Sequence, residues 1–116
     1  MRKTLLSLLG AVALAVTSTV VLAPAASAEY SKLCPYTSAQ PIVKRGDTGA
    51  VVKQVQCELN YSLSGPNLDV DGKFGPATEV QLKWFQGCAG LDQDGIVGDY
   101  TWILLNRYSV APGNVC

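Results

Sequence analysis

One loop sequence occurs twice in this chain, and the repetition constrains the fold more than any other feature. The segment LDVDGKFGPATEVQL at 68–82 and the segment LDQDGIVGDYTWILL at 91–105 share the skeleton Leu-Asp-x-Asp-Gly-x-x-Gly-x-x-Thr at a constant offset of 23. A Gly-x-x-Gly pattern also occurs earlier, at 46–49. Because each glycine pair stands before a helical pattern, we expect loop-plus-helix units that together build one bundle.

Apolar side chains follow each glycine pair at helical spacing. The turns at 46–49 and 72–75 precede helices predicted over about 50–61 and 76–87, the second with a proline in its first turn. The turn at 95–98 precedes a third helix that Asp99 or Thr101 caps. The fold class is therefore all-α, a small three-helix bundle with Gly-x-x-Gly loops before each helix. The third helix is apolar nearly all round, so we expect it to be the most buried.

The first 28 residues are predicted to be a secretory signal peptide. Two basic residues precede an apolar run at 5–16, and small residues at 26–28 suit a signal peptidase. A membrane anchor is the alternative, since about 18 apolar residues can span a bilayer. Pro24 and the lack of a basic flank after the run favour cleavage, which we place after Ala28. This division leaves an N-terminal arm at 29–41 and a domain at 42–116.

Charge argues against nucleic acid as a partner. The signal segment holds two of the nine basic residues and none of the nine acidic ones, so the exported chain carries a charge of about −2. Nucleic-acid-binding proteins need clustered Lys and Arg, and the chain has no such stripe. We expect a secreted, extracellular monomer with no membrane contact after signal cleavage.

Four cysteines are predicted to form disulfides that stabilise the small core. They are Cys34, Cys57, Cys88 and Cys116. In an exported chain of this size an even count indicates two disulfides, whereas a zinc site would need close cysteine pairs or histidine, which the sequence lacks. Three pairings are possible. We favour Cys57–Cys88 as an internal bridge and Cys34–Cys116 as a tie between the two ends, each contributing roughly 3–5 kcal/mol in the chain-entropy model.

The residues offer little catalytic chemistry. The chain has no histidine, which excludes a Ser-His-Asp or Cys-His mechanism. Paired carboxylates could cleave a glycosidic bond, but most aspartates lie in the repeated turn, where Asp accepts backbone N–H bonds. We therefore do not expect an enzyme.

The repeated loop partly resembles a calcium-binding loop. Asn67-x-Asp69-x-Asp71-Gly72 matches the first six positions of an EF-hand loop, but Thr78 stands where the bidentate Glu is needed. The second copy has Gly90 at its first position. We expect no metal and no cofactor.

Two glutamines and two tryptophans have structural and functional interpretations. Gln56 and Gln86 lie in the apolar halves of the first two helices, where hydrogen bonding to neighbouring loop backbone is favoured over direct ligand contact. Trp84 and Trp102 are expected in the core more than at a sugar-binding surface.

Five motifs in order carry a family resemblance. They are Val52-x-x-Val55-Gln56-x-x-Leu59, Asp71-Gly72-x-Phe74-Gly75-x-x-Thr78, Phe85-Gln86, Gly90-Leu91 and Asp94-Gly95-Ile96-Val97-Gly98-x-x-Thr101-Trp102. Over about 42–105 the sequence resembles the type 1 peptidoglycan-binding domain, a three-helix module often attached to bacterial cell-wall hydrolases. It departs from the family in having Val55 where Leu is usual, and in the cysteines at 57 and 88.

The resemblance implies a non-catalytic, stand-alone module that binds peptidoglycan through its glycan strand or stem peptide. We expect a groove bounded by the turns that open the second and third helices. The candidate ligand-binding residues are Tyr61, Lys73, Phe74, Asp99 and Tyr100. The motif residues assigned to architecture are Asp71, Gly72, Gly75, Asp94, Gly95 and Gly98.

The alternative is a secreted interaction protein of the same fold that binds or regulates a protein partner, such as a cell-wall hydrolase. An exposed apolar patch larger than a few hundred Å² would distinguish it.

Overall fold

Three helices form the regular secondary structure of the described chain. The computed structural model describes residues 33–110 and 114–116, so the predicted signal peptide at 1–28 lies outside the described residues. Helix α1 spans Ala50–Ser62, α2 spans Pro76–Cys88 and α3 spans Asp99–Val110. Across these described ranges the only extended pairing consists of two isolated bridges. The predicted all-α, three-helix fold class is confirmed.

The turns set where the helices begin. Gly49 caps α1 with a φ of 111°, and Gly75 caps α2, which continues with Pro76 at its first position. Neither cap uses a side-chain hydrogen bond. Each of these helices runs one residue beyond its predicted end. The local pattern therefore predicts the helix bounds well.

Helix α1 is the centre of the bundle, because it packs against both α2 and α3. Its buried residues are Val52, Gln54, Val55, Gln56, Cys57, Glu58, Leu59 and Ser62. The expectation that α3 would be the most buried helix is wrong. Only one side of α3 meets the bundle, so Trp102 and Leu105 are buried while Ile103 is 55% exposed.

Helix α2 is also less buried than its apolar composition suggests. Leu82 and Phe85 lie in the core, whereas Val80 and Trp84 are exposed. The Trp84 ring lies against the backbone of Gly65, where an added Cβ would come within 2.6 Å of it. The prediction of a core position for Trp84 is wrong, because the ring covers a loop instead of entering the bundle.

Trp102 occupies the predicted core position. It is 1% exposed, and its indole Nε1 donates a 2.7 Å hydrogen bond to the carbonyl of Pro41. A buried indole N–H needs such a partner. The bond also holds the segment before the first turn against α3.

Two short backbone pairings join the turns. Val43 and Val97 exchange hydrogen bonds of 3.2 and 2.8 Å, and Gly49 donates to the Gly72 carbonyl at 2.9 Å. The pairing of the first turn with the second continues where Phe74 donates to the Asp47 carbonyl at 3.0 Å. The segment that leads into α1 is thereby bonded to the turns before both other helices.

The disulfides differ from the favoured pairing. Cys34 bonds to Cys57 with their Cα atoms 5.7 Å apart, and Cys88 bonds to Cys116 with a Cα separation of 5.6 Å. The expected Cys57–Cys88 and Cys34–Cys116 bridges are therefore wrong. Each terminal segment is tied to a helix, and the two ends are not tied to each other.

Backbone hydrogen bonds place both terminal segments against α1. The N-terminal segment crosses α1, where the Gln54 Oε1 accepts the backbone N–H groups of Tyr36 and Thr37, both at 3.1 Å. The C-terminal segment returns to the end of α1, since the Val115 N–H donates to the Ser62 carbonyl at 3.0 Å. The first contact sets Cys34 near Cys57 on α1, whereas Cys116 lies one residue beyond the second contact and bonds to Cys88 at the end of α2.

None of the three helices in the described part of the chain has the length and apolar composition needed to cross a bilayer.

Candidate functional site

Two hollows of similar build flank the turns before α2 and α3. The first hollow is lined by Gln56 and by residues within 68–78, with a volume of about 250 Å³. The second hollow is lined by Gln86 and by residues within 91–101, with a volume of about 200 Å³. The loop residues that line them correspond one to one at the offset of 23 seen in the sequence. The repeated loop therefore makes the same concave surface twice.

A buried glutamine holds the floor of the first hollow. The Gln56 Oε1 accepts the Gly72 N–H at 2.9 Å, and its Nε2 lies 3.0 Å from the Lys73 carbonyl. The same Nε2 lies 3.0 Å from Asp71 Oδ1 and 3.1 Å from Thr78 Oγ1. This buried amide is fully used by the turn, which confirms the structural interpretation of Gln56.

Gln86 makes the equivalent contacts in the second hollow. Its Oε1 accepts the Gly95 N–H at 3.0 Å, and its Nε2 lies 2.9 Å from both the Ile96 carbonyl and Asp94 Oδ1. A longer contact of 3.3 Å reaches Thr101 Oγ1. Gln86 therefore also has the structural role that was favoured from the sequence.

The aspartates of the two Asp-Gly pairs, Asp71 and Asp94, stabilise the turns. The Asp71 carboxylate accepts the Lys73 N–H at 2.9 Å, and Asp94 accepts the Ile96 N–H at 2.9 Å. The bonds from the Lys73 backbone and the Gln56 side chain hold the pKa of Asp71 below its usual value, because both stabilise the carboxylate form. Their oxygens face the turn, as expected for residues assigned to architecture.

Three pairs of equivalent positions distinguish the hollows. They are Lys73 and Ile96, Pro76 and Asp99, and Ala77 and Tyr100. The first hollow thus has a cation at its rim, whereas the second has an added carboxylate and an aromatic ring. Tyr100 is 76% exposed, the most exposed large apolar side chain in the described chain.

The predicted site residues fall into separate places. Lys73 lines the first hollow, and Asp99 and Tyr100 line the second. Tyr61, which is 48% exposed, lines a third hollow of about 310 Å³ beside Asn60 and Asn67. The structure therefore brings Asp99 and Tyr100 together, and it places Lys73 and Tyr61 in hollows of their own.

Phe74 must be removed from the candidates. Its side chain is 3% exposed and belongs to the core, so the expectation that it meets a ligand is wrong. Neighbouring residues in an extended segment point to opposite sides. Lys73 therefore faces outward while Phe74 faces the core, and Ile96 and Val97 show the same alternation one repeat later.

Asp92 and Ile96 also line the second hollow, although neither is among the predicted ligand-binding residues. The repeat itself contained the signal. Ile96 is the residue 23 positions after Lys73, so the repeat predicts equivalent places for the two side chains.

A raised carboxyl pKa occurs away from the hollows. Glu58 is buried in α1, and burial raises its pKa to about 7, opposed by a hydrogen bond from Gln54. Its Oε1 has no hydrogen-bond partner among residues 33–110 and 114–116. Glu58 lines none of the three hollows, so it is not placed to act on a ligand there. Within the described residues no group of three or more His, Cys, Asp or Glu side chains could hold a metal ion.

Comparisons with known proteins identify a matching family and two similar proteins. A family described as "Putative peptidoglycan binding domain" matches residues 48–105. An uncharacterized protein of Kitasatospora aureofaciens is 45% identical over 85 residues, which are 72% of this chain and 72% of the relative. The zinc D-Ala-D-Ala carboxypeptidase of Streptomyces albus G is 39% identical over 61 residues, 52% of this chain but 24% of the carboxypeptidase.

Two solved structures share the fold. One is a peptidoglycan-binding protein from Clostridioides difficile in complex with glutamine hydroxamate, with a TM-score of 0.55 and 36% identity over 60% of this chain and 43% of that one. The other is a fused Zn-dependent amidase/peptidase/peptidoglycan-binding domain-containing protein from Clostridium acetobutylicum. It has a TM-score of 0.55 and 35% identity over 66% of this chain and 33% of that one. The first two helices, the turns at 72–75 and 95–98 and the first part of α3 fall within the matched family region, and this chain belongs to the peptidoglycan-binding domain family.

Proposed function

We propose that this protein is a secreted, non-catalytic module that binds bacterial cell-wall peptidoglycan. The observation that carries the proposal is the second hollow, where the exposed ring of Tyr100 stands beside the carboxylates of Asp92 and Asp99. Sugars are bound in proteins by aromatic faces together with a few placed polar groups. The family to which the chain belongs supplies the identity of the polymer.

The similar proteins support a cell-wall setting. Two of them are named as a D-Ala-D-Ala carboxypeptidase and as a fused amidase/peptidase with a peptidoglycan-binding domain, and this chain matches a quarter to a third of each. We therefore propose the shared part to be the binding portion, which holds an activity near its substrate.

The shape of the hollows suggests weak binding at each site. Volumes of about 200–250 Å³ are below the range of a deep small-molecule pocket. A wall offers very many copies of the ligand, so modest affinity is enough for retention on its surface. The residues we propose to touch the wall are Lys73, Asp99 and Tyr100, with Tyr61 at the third hollow.

Secretion is part of the proposal. A wall-binding protein must be exported, and the predicted signal peptide with cleavage after Ala28 would provide the route. Two disulfides within the described residues suit an oxidising compartment outside the cytoplasm. The arm at 29–41 and the domain at 42–116 would then form the exported protein.

Sedimentation tests the proposal. The full chain is expressed for export, recovered in oxidised form, and mixed with purified insoluble peptidoglycan, with chitin and cellulose as matched insoluble controls. We expect the protein in the pellet with peptidoglycan and in the supernatant with both controls. A folded, disulfide-bonded protein that stays in the supernatant with peptidoglycan would contradict the proposal and direct attention to a protein partner.

A further inference from the structure

We infer that the two hollows bind different parts of peptidoglycan at the same time: the first takes a carboxylate of the stem peptide and the second takes the glycan strand. The inference rests on the proposed function, since it names which groups of the polymer each hollow would meet. It also explains why one loop is used twice with different side chains at its rim.

The residues that the two hollows share, here called the common frame, cannot explain a difference between their ligands. In both hollows the buried glutamine amide and the aspartate of the Asp-Gly pair already form hydrogen bonds within their own turn. The frame also includes the same Leu, Gly and Thr positions in each copy. What a ligand meets differently is therefore set by the three positions that vary.

The first hollow has a cation to offer. Lys73 is exposed at its rim, and its backbone N–H and carbonyl are held by Asp71 and Gln56, so the base of the side chain is fixed by the turn. Pro76 and Ala77 add no charge to this rim, and the lining also includes the carboxylates of Asp69 and Asp71, of which Asp71 is engaged by its own turn. Stem peptides carry free carboxylates, and an ammonium group held at a hollow is a suitable partner for one.

The second hollow would repel the same group. Ile96 removes the cation and Asp99 adds a carboxylate to the two aspartates that both hollows share, so the lining carries Asp92, Asp94 and Asp99 with no basic side chain. A carboxylate is disfavoured there, whereas hydroxyl and amide groups of a sugar can donate to Asp92 and Asp99. The Tyr100 ring offers an apolar face of the kind that packs on a sugar ring.

Separate probes test each hollow. The probes are glycan strands stripped of peptides by an amidase and amidated at the carboxyl groups that this cleavage frees, the isolated stem tetrapeptide, and soluble fragments that retain both. Backbone amide shifts of the oxidised protein are followed during titration with each probe. We expect the tetrapeptide to shift residues within 68–78, the stripped glycan to shift residues within 91–101, and the intact fragment to shift both sets.

Substitutions then separate the two contributions. Lys73→Ala should lower tetrapeptide affinity by about fivefold, the effect of losing one exposed charge contact, and leave stripped-glycan affinity within about twofold. Tyr100→Ala should lower stripped-glycan affinity by about fivefold or more and leave tetrapeptide affinity within about twofold. Both should weaken binding of the intact fragment. Matched controls are Lys44→Ala, another exposed lysine, and Ile103→Ala, another exposed apolar residue of α3.

The outcomes separate the inference from the proposed function. Wild-type protein that binds intact fragments while both probes shift the same hollow, or while Lys73→Ala and Tyr100→Ala affect both probes equally, overturns the two-part inference and leaves peptidoglycan binding standing. Wild-type protein that binds no peptidoglycan fragment overturns both. Tetrapeptide binding that weakens with added salt while stripped-glycan binding does not supports the assignment of the charged contact.

Discussion

Gln56 and Gln86 make the same four hydrogen bonds to the turns that open α2 and α3. Each side-chain oxygen accepts the N–H of the glycine in a DG pair, and each amide nitrogen lies near an aspartate, a backbone carbonyl and a threonine. The repeated loop is thus completed by a residue of the preceding helix, which the loop sequence alone does not contain.

The first prediction concerns Gln56. Gln56→Ala leaves the buried Gly72 N–H and the Thr78 hydroxyl without this partner. We expect the free energy of unfolding to fall by about 2–3 kcal/mol, since a buried polar group without a partner costs that order of energy. Urea denaturation measures it. Gln81→Ala on α2, a half-buried position, is the control, and an equal loss in both variants would contradict the structural role of Gln56.

Glu58 predicts an unusual pH dependence. Its pKa rises from 4.5 unfolded to about 7 folded, so the folded state binds more protons between these values. The contribution of Glu58 to stability is therefore present below pH 4.5 and lost as the pH rises through about 7. The expected loss is about 3 kcal/mol.

The test of Glu58 compares urea denaturation at pH 5 and pH 7.5. Glu58→Gln removes the ionisation and keeps an acceptor for Gln54, so its stability relative to wild type should rise with pH. Glu79→Gln, which loses only the surface pair with Arg45, is the control. A wild-type to Glu58→Gln difference that is the same at both pH values would refute the raised pKa.

Gly72 should tolerate no side chain. Its φ is +77°, and an added Cβ would lie 3.2 Å from the Gly49 carbonyl oxygen. Gly72→Ala should lower the free energy of unfolding by about 1–2 kcal/mol, because an L-residue is strained in the left-handed region. Gly75→Ala in the same turn has open space and a negative φ, and it should be close to neutral in thermal melts. Equal effects would count against the turn geometry.

Disulfide mapping checks the connectivity. Trypsin cleaves after Lys and Arg, which places the four cysteines in four different peptides: 33–44, 54–73, 84–107 and 108–116. Without reduction we expect 33–44 linked to 54–73 and 84–107 linked to 108–116. A link between 54–73 and 84–107 would instead restore the pairing favoured from the sequence.

Reduction of the disulfides should also destabilise the protein. Each bridge closes a loop of more than 20 residues, and such a bridge is worth about 3–4 kcal/mol in the chain-entropy model. The melting temperature should fall by more than about 10 °C in reductant. An unchanged melting curve would show that the bridges add little to the stability of this fold.

Several features could be predicted because their causes are local. The helix starts follow from glycine turns and apolar spacing, and Trp102 is buried as its place in the apolar helix suggested. The structural roles of Gln56 and Gln86 follow from polar side chains that stand on apolar faces. For the helix starts, the residues that decide the outcome lie within about one turn of helix or loop.

Other features depend on contacts between distant segments, and the sequence did not reveal them. Trp84 resembles a core residue until the 63–67 loop is placed beneath it, and Phe74 resembles a surface residue until the turn is paired with Asp47. The central position of α1 likewise appears only when both other helices are packed on it.

The sequence by itself determined a repeated loop, three helices and a pair of similar turns, because glycine, proline and apolar spacing act over a few residues. Only the tertiary structure decided that Cys34 meets Cys57, that Cys88 meets Cys116, and that Lys73 and Tyr100 face different hollows. The physical reason is that a pairing depends on the path of the whole chain. Identical local patterns are compatible with several such paths until the core is packed.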